Sequence, residues 1–325
     1  MRSSESFTTL SEFLLQAGTE YFIIDVSRIR MRLDNQTFFD YENNKTAYAT
    51  PRQGHAWLCV VFWNRQLHSE HYIWFLKLPV DEQGLLLQAA RDQFLQLVIE
   101  TLGQQMQGVD DKHAQLPDNP FIFTPSQQLL SDCNATIRYH LDLPERAGMH
   151  KALRYLKAPN VQPWSELSVQ DMSDLATCIH QSGVQHAFVK HLSILPHPVC
   201  VCLFSTFEGI ALPTEVAQHL LDYHRHCESS LAPMALRALA STNTPAIRDY
   251  VRQLVASEQM LDTETLIVIA GRHWRALSPE ADASTDYLRG YFEKVAQVDR
   301  TYGLFRGTFA DLVQLPELRV FILAM

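Results

Sequence analysis

The sequence predicts an α+β N-terminal domain with an antiparallel sheet flanked by helices. An all-α domain of helical hairpins follows, HEAT-like or an irregular α-solenoid. Three observations carry this reading. The chain has 325 residues, more than one ordinary hydrophobic core accommodates, so two domains are expected. Apolar residues alternate with period two through much of residues 20–79 and then switch to helical spacing. Beyond about residue 125 the strand signal gives way to a succession of helix, short break and helix, each helix about three or four turns long. The expected boundaries are an α+β domain over 1–108, a linker over 109–124 and a helical domain over 125–325. The stretch QGVDDKHAQLPDNP, polar and rich in turn formers, motivates the division.

Taken in order, Thr9 or Ser11 is suited to cap a first helix, with Phe13 and Leu14 facing inward and Gly18 ending it. In EYFIIDVSRIRMRL, Phe22, Ile24 and Val26 are apolar at even positions, but Ile29, Met31 and Leu33 at odd ones. Strand parity is strict, so a turn or bulge is required near Asp25–Arg28. HAWLCVVFWN and HYIWFLKLP read as neighbouring antiparallel strands. In the first, Ala56, Leu58, Val60 and Phe62 share one face; Trp57, Cys59, Val61 and Trp63 share the other. A strand apolar on both faces is expected to be central and covered on both sides.

After Pro79 the spacing turns helical, with Leu86, Ala90, Phe94 and Leu97 on one face. This places a helix start at Asp81, Glu82 and Gly84 in its first turn, and a stop near Gly103. Thr124, with Pro125 at the first helical position and Gln127 completing a capping box, is expected to open the next helix. Another fits between Pro144 and Pro159, and SVQDMSDLATCIHQSG is expected to end at Gly183. Six further helical stretches run from LPTEVAQHLL to RTYGLFRGTF with no strict repeat period. The terminal VFILAM is too apolar to hang free and is expected to be docked.

HAWLCVVFWN, HYIWFLKLPVDEQGLLLQAARDQFLQLV and DNPFIFTPSQQ resemble the signature stretches of a family of uncharacterised gammaproteobacterial proteins, a domain of unknown function of about this length. The likeness is most specific at WFLKLPVDEQGLL. It implies a bacterial, cytoplasmic protein and brings no activity, cofactor or catalytic residue with it.

Composition excludes more than it identifies. The chain is 46% hydrophobic and 19% charged, as in soluble globular proteins. Its net charge of −9 opposes non-specific attraction to nucleic acid. No glycine-rich phosphate loop is present among its 12 glycines. The N-terminus lacks the apolar core of a signal peptide, and no apolar run approaches a membrane span, so a cytoplasmic location without membrane partners is expected. Six cysteines, several in apolar runs such as PVCVCLF, read as reduced, buried thiols.

The binding candidates are Arg28, Arg30, Arg32, His71, Trp74, Asp81, Glu82 and Gly84. The three arginines alternate, so on a strand they would form an anion-binding stripe or, more simply, the solvated face of an edge strand. Trp74 belongs to an aromatic group able to line a pocket or fill a core. Asp81 and Glu82 offer two carboxylates at a strand end. Adjacent helical residues diverge by about 100°, however, so a cap and a first-turn charge account for them better than an acid–base pair. Glycine at position 84 is not required by a cap and points to a close contact or a bound group. His68 with His71, and His224 with Cys227, have metal-compatible spacing but no second ligand pair, so no metal and no cofactor are expected. A cysteine–histidine nucleophile lacks any local signature, and no catalytic residue is assigned.

The function expected is a non-enzymatic protein–protein interaction or scaffold module that uses the helical domain, with a homodimer compatible. The alternative is an enzyme or small-molecule sensor with a pocket between the two domains, rimmed by Asp81, Glu82, His71 and Arg28.

Overall fold

The computed structural model describes residues 8–64, 70–106, 116–161, 163–227, 230–279 and 285–325. They form two compact units. The first comprises residues up to Arg28, Arg32–Thr124 and Val313–Val320; the second comprises Ile29–Met31, Pro125–Leu312 and Phe321–Met325. The fold class expected from the sequence is the one observed: a four-stranded antiparallel sheet with helices, then a helical region.

In the first unit, helix α1 (Leu10–Gln16) starts at Thr9, whose side chain accepts from Glu12 N. Strand β1 (Glu20–Asp25) and the short β2 (Met31–Leu33) are separated by the break that the parity switch requires. Helix α2 (Asn35–Glu42) is capped by Asp34. Strands β3 (His55–Trp63) and β4 (His71–Pro79) pair antiparallel, with Leu58 opposite Leu76. The sheet order is β2-β1-β3-β4, which makes β3 an interior strand. Tyr21, Ile23, Leu58, Val60, Leu76 and Leu78 turn one face toward α1, α2 and helix α3 (Gln88–Met106), where Leu14, Phe38, Phe94 and Val98 complete a core. Phe22, Ile24, Cys59 and Val61, on the opposite face, are also buried. The alternation of β3 thus reports burial on both sides.

Residues 81–87 correct the expected helix start. Helix α3 begins at Gln88, and Asp81 is not its cap. Asp81 N donates to Leu85 O (2.8 Å), Gly84 N donates to Asp81 O (3.0 Å), and Val80 bridges Leu86. This is the hydrogen-bond pattern of a three-residue hairpin loop closed by a left-handed residue. Gly84 has φ +82, which a side chain disfavours. Asp81 Oδ1 accepts from Gln83 N and Leu85 N, both at 2.8 Å, and so locks the loop. Helix α3 also continues through Gly103 to Met106.

The second unit contains α4 (Gln127–His140), α5 (Ala147–Lys157), α6 (Val169–Thr177), α7 (Ser182–His191), α8 (His197–Phe207) and α9 (Thr214–His226). They are followed by α10 (Ala232–Ala238), α11 (Pro245–Ala256), α12 (Thr263–Arg272), α13 (Asp286–Val298) and α14 (Gly303–Leu312). Helices α4, α6, α8, α10, α12 and α14 pack in succession. A second row pairs α5 with α7, α7 with α9, and α11 with α13.

Three local expectations change in this unit. Ser126, not Thr124, caps α4 through Leu129 N. Helix α6 ends at Thr177, and Gly183 lies inside α7. Helices α7 (Ser182–His191) and α8 (His197–Phe207) fall where the sequence offered no assigned cap or period. The last helix, α15 (Pro316–Ala324), buries Leu318 and Ile322 but exposes Val320 and Leu323, so VFILAM is only half docked.

Candidate functional site

The residues singled out in the sequence do not converge. Arg28 is buried in the first unit, where its Nε donates to Pro51 O at 2.8 Å. Arg32 is exposed on β2 with its guanidinium 5.2 Å from the Phe22 ring centroid. His71 pairs with Trp63 at the start of β4. Trp74 packs edge-on against Phe94 at 5.6 Å, a core contact. Glu82 is exposed, and Asp81 and Gly84 are occupied by the hairpin loop. The carboxylates of Asp81 and Glu82 therefore have separate surroundings.

Arg30 belongs to the second unit and overturns the reading of a solvated arginine stripe. It is 7% exposed, and its Nη1 lies 3.0 Å from Asp132 Oδ2. Its Nη2 donates to Thr206 O at 2.7 Å. Asp132 on α4 also accepts from Ser173 Oγ on α6 (2.9 Å) and Thr206 Oγ1 on α8 (2.6 Å). A buried ion pair survives desolvation only when its remaining lone pairs are met, and here three helices meet them. The carboxylate of this cluster is saturated and ties α4, α6 and α8 together, while Arg30 Nε is buried without a hydrogen-bond partner.

A cleft in the second unit lies elsewhere. It has a volume of about 500 Å³ and is walled by the end of α4, the 141–146 loop, Met149 of α5, and Asp174, Thr177, Cys178 and Gln181. The local chemistry explains its shape. Helix α4 stops at Leu141, and Asp142 turns the chain with φ +51, a conformation that aspartate tolerates. Leu143 N returns to Arg138 O at 3.0 Å. Pro144 keeps the preceding residue out of helix, and Arg138 Nη2 donates to its carbonyl, which fixes the loop over the helix end. Opposite, Ser168 and Asp171 form a capping box that starts α6 and places Asp174 in the wall.

Asp174 is the chemically distinctive group. It is 8% exposed. Its Oδ1 accepts from Gln170 Nε2 at 2.7 Å, but its buried Oδ2 has no hydrogen-bond partner. Arg146 Nη1 stands 3.7 Å from that oxygen, beyond hydrogen-bond reach, and the Arg146 side chain is 45% exposed. Burial raises the carboxyl above its ordinary range, against the opposing pull of Gln170, Arg146 and Arg138. Burial, with Glu145 and Asp174, also raises Cys178 and keeps it a thiol rather than a nucleophilic thiolate. The lining joins apolar Ala135, Leu143, Pro144 and Met149 to three acids and two arginines. It suits a group with an apolar stem and a hydrogen-bonding cationic end.

None of the sequence candidates lines this cleft. The signals that could have found it are the turn-forming LDLPER stretch and the Ser-x-x-Asp box preceding Asp174. Elsewhere, His224 Nδ1 is hydrogen-bonded to Tyr250 Oη at 2.6 Å, and burial lowers its pKa. His68 lies outside the described residues. Among the described residues, no group of three or more His, Cys, Asp or Glu side chains could hold a metal ion, and no helix is long and apolar enough to cross a membrane.

A family model described as a protein of unknown function (DUF3549) matches residues 5–325. No curated protein and no solved structure matches the chain significantly.

Proposed function

Because the chain belongs to the DUF3549 family, described only as proteins of unknown function, we propose from its chemistry that it is a non-enzymatic interaction module of the cytoplasm. Its helical unit takes a protein partner, and a basic side chain of that partner enters the cleft beside Asp174. The observation that carries this reading is the spare Asp174 Oδ2: a buried acceptor, without a donor, in a cleft of about 500 Å³. An unmet buried acceptor costs about 1–3 kcal/mol, which a donor from a partner would recover. Arg146, loosely placed and half solvated, is an internal stand-in that an incoming guanidinium or ammonium displaces. The two rows of helices support the α-solenoid reading, an architecture that offers extended binding surfaces.

The test uses the full-length chain as bait in an extract of the organism that encodes it, with the Asp174→Asn variant alongside. Asparagine keeps the acceptor toward Gln170 and removes the charge. One protein should be retained in stoichiometric amount and lost about tenfold or more by the variant, about 1.4 kcal/mol. Replacing Arg146 with Ala should strengthen retention. Capture indifferent to Asp174, or turnover of a copurified small molecule, overturns the reading.

A further inference from the structure

The surroundings of Asp174 favour one kind of basic side chain over the other. The carboxylate is 8% exposed, and its Oδ2 is buried without a hydrogen-bond partner in the wall of a cleft of about 500 Å³. A cation that reaches this oxygen must shed most of its water. A guanidinium is more weakly hydrated than an ammonium, so it loses less on entry. It also presents several N–H donors in one plane, whereas the ammonium is a compact point charge.

The cleft already receives a guanidinium from its own chain. Arg146 Nη1 stands 3.7 Å from Asp174 Oδ2, with the arginine side chain 45% exposed. The space before Asp174 therefore accommodates a planar guanidinium, yet Arg146 makes no hydrogen bond to that oxygen. Its backbone is held at the N-cap position of α5, where its carbonyl accepts from Met149 N at 3.0 Å. That fixed backbone limits its approach. An arginine from another protein carries no such tether.

The lining supplies a second recognition element. Tyr139, near the end of α4, lines the cleft and is 62% exposed. An aromatic face attracts cations, and arginine more often than lysine, because the planar guanidinium also stacks on it. Asp142 and Glu145 are exposed in the same lining, with Glu145 Oε2 3.4 Å from His150 Nε2. Against these acids and Asp174 stand Arg146 and Arg138, whose Nη2 is committed to Pro144 O. Three acids facing two arginines leave an excess of negative charge when Asp174 is ionised, which draws in a cation.

We infer that the side chain admitted beside Asp174 is an arginine of the partner, not a lysine. Its guanidinium donates to Asp174 Oδ2, its methylene stem lies along Leu143 and Met149, and its outer part stacks on Tyr139. The inference rests on the proposed function, in which a basic side chain enters this cleft, and it names that side chain.

The experiment titrates full-length protein with Nα-acetyl-arginine methylamide, its lysine counterpart and its citrulline counterpart at constant ionic strength, and follows amide shifts. Saturable binding of the arginine compound is expected, about tenfold or more tighter than that of lysine. Citrulline, which keeps the planar shape but lacks the charge, should not bind. Asp174→Asn should weaken the arginine compound about tenfold or more. Tyr139→Leu, an exposed change expected to leave the unfolding midpoint unaltered, should weaken it about threefold, the effect of one exposed cation–π contact, and leave lysine unaffected. Lysine binding as tight as arginine overturns the inference but leaves the reading of a basic side chain standing. Absence of saturable arginine binding, equal binding of citrulline, or arginine binding that both variants retain in full also overturns it. Failure of the underlying reading shows separately, as capture of the partner protein that is indifferent to Asp174→Asn.

Discussion

Gly84 closes the hairpin loop after β4 with φ +82, a backbone conformation that a side chain disfavours. A methyl group at this position would meet Ala47 Cβ at 3.4 Å, so the backbone sets the cost more than the space does. We predict that Gly84→Ala lowers stability by about 1–2 kcal/mol in urea unfolding. A loss of only a few tenths would show that the loop relaxes freely. The sequence did hold the correct signal, since aspartate at the first and glycine at the fourth position mark a type I turn. The helical spacing of Leu86, Ala90 and Phe94 masks that signal, because the same period extends backward through residues 82–84.

Among the elements, the strands were the most legible. Alternation identified β1, β3 and β4, and the parity switch located the break before β2. Helices whose start carries a side-chain cap, such as α11 after Thr244 and α12 after Asp262, were legible too. Helices α7 and α8 begin without one, and α8 is apolar on most sides, so neither cap nor period announced them. Their neighbours depend on the Arg30–Asp132 pair. We predict that Asp132→Ala costs roughly 3–5 kcal/mol, because it leaves the buried Arg30 without its counter-charge and Ser173 and Thr206 without their acceptor. A loss below about 1 kcal/mol would mean that water reaches the guanidinium. Alternating arginines gave no hint of this, because alternation encodes a face only while the chain remains a strand.

At the scale of the whole molecule, chain order and spatial grouping diverge. Val313–Val320 belongs to the sheet-containing unit although it follows the last row helix in sequence. Gln314 Oε1 accepts from Gly54 N at 2.7 Å, and Leu315 and Leu318 are fully buried. Replacing both leucines with alanine should cost roughly 4 kcal/mol or more, by the usual 2–5 kcal/mol for each buried leucine. Amide exchange should accelerate in β3 and β4 and leave α4 to α8 protected. Acceleration confined to α4–α8 would contradict that grouping.

The sequence by itself determined the fold class, the interior position of β3, the acidic balance and most capped helices. Each is written in local periodicity or composition, which act over a few residues. Tertiary structure alone decided that Arg30 is a buried partner of Asp132, that Asp174 keeps an unmet oxygen in a cleft, and that Tyr139 and Arg146 line the same cleft. These groupings join residues up to 176 positions apart, as between Arg30 and Thr206. No local period encodes such proximity, because it is set by how complete helices stack.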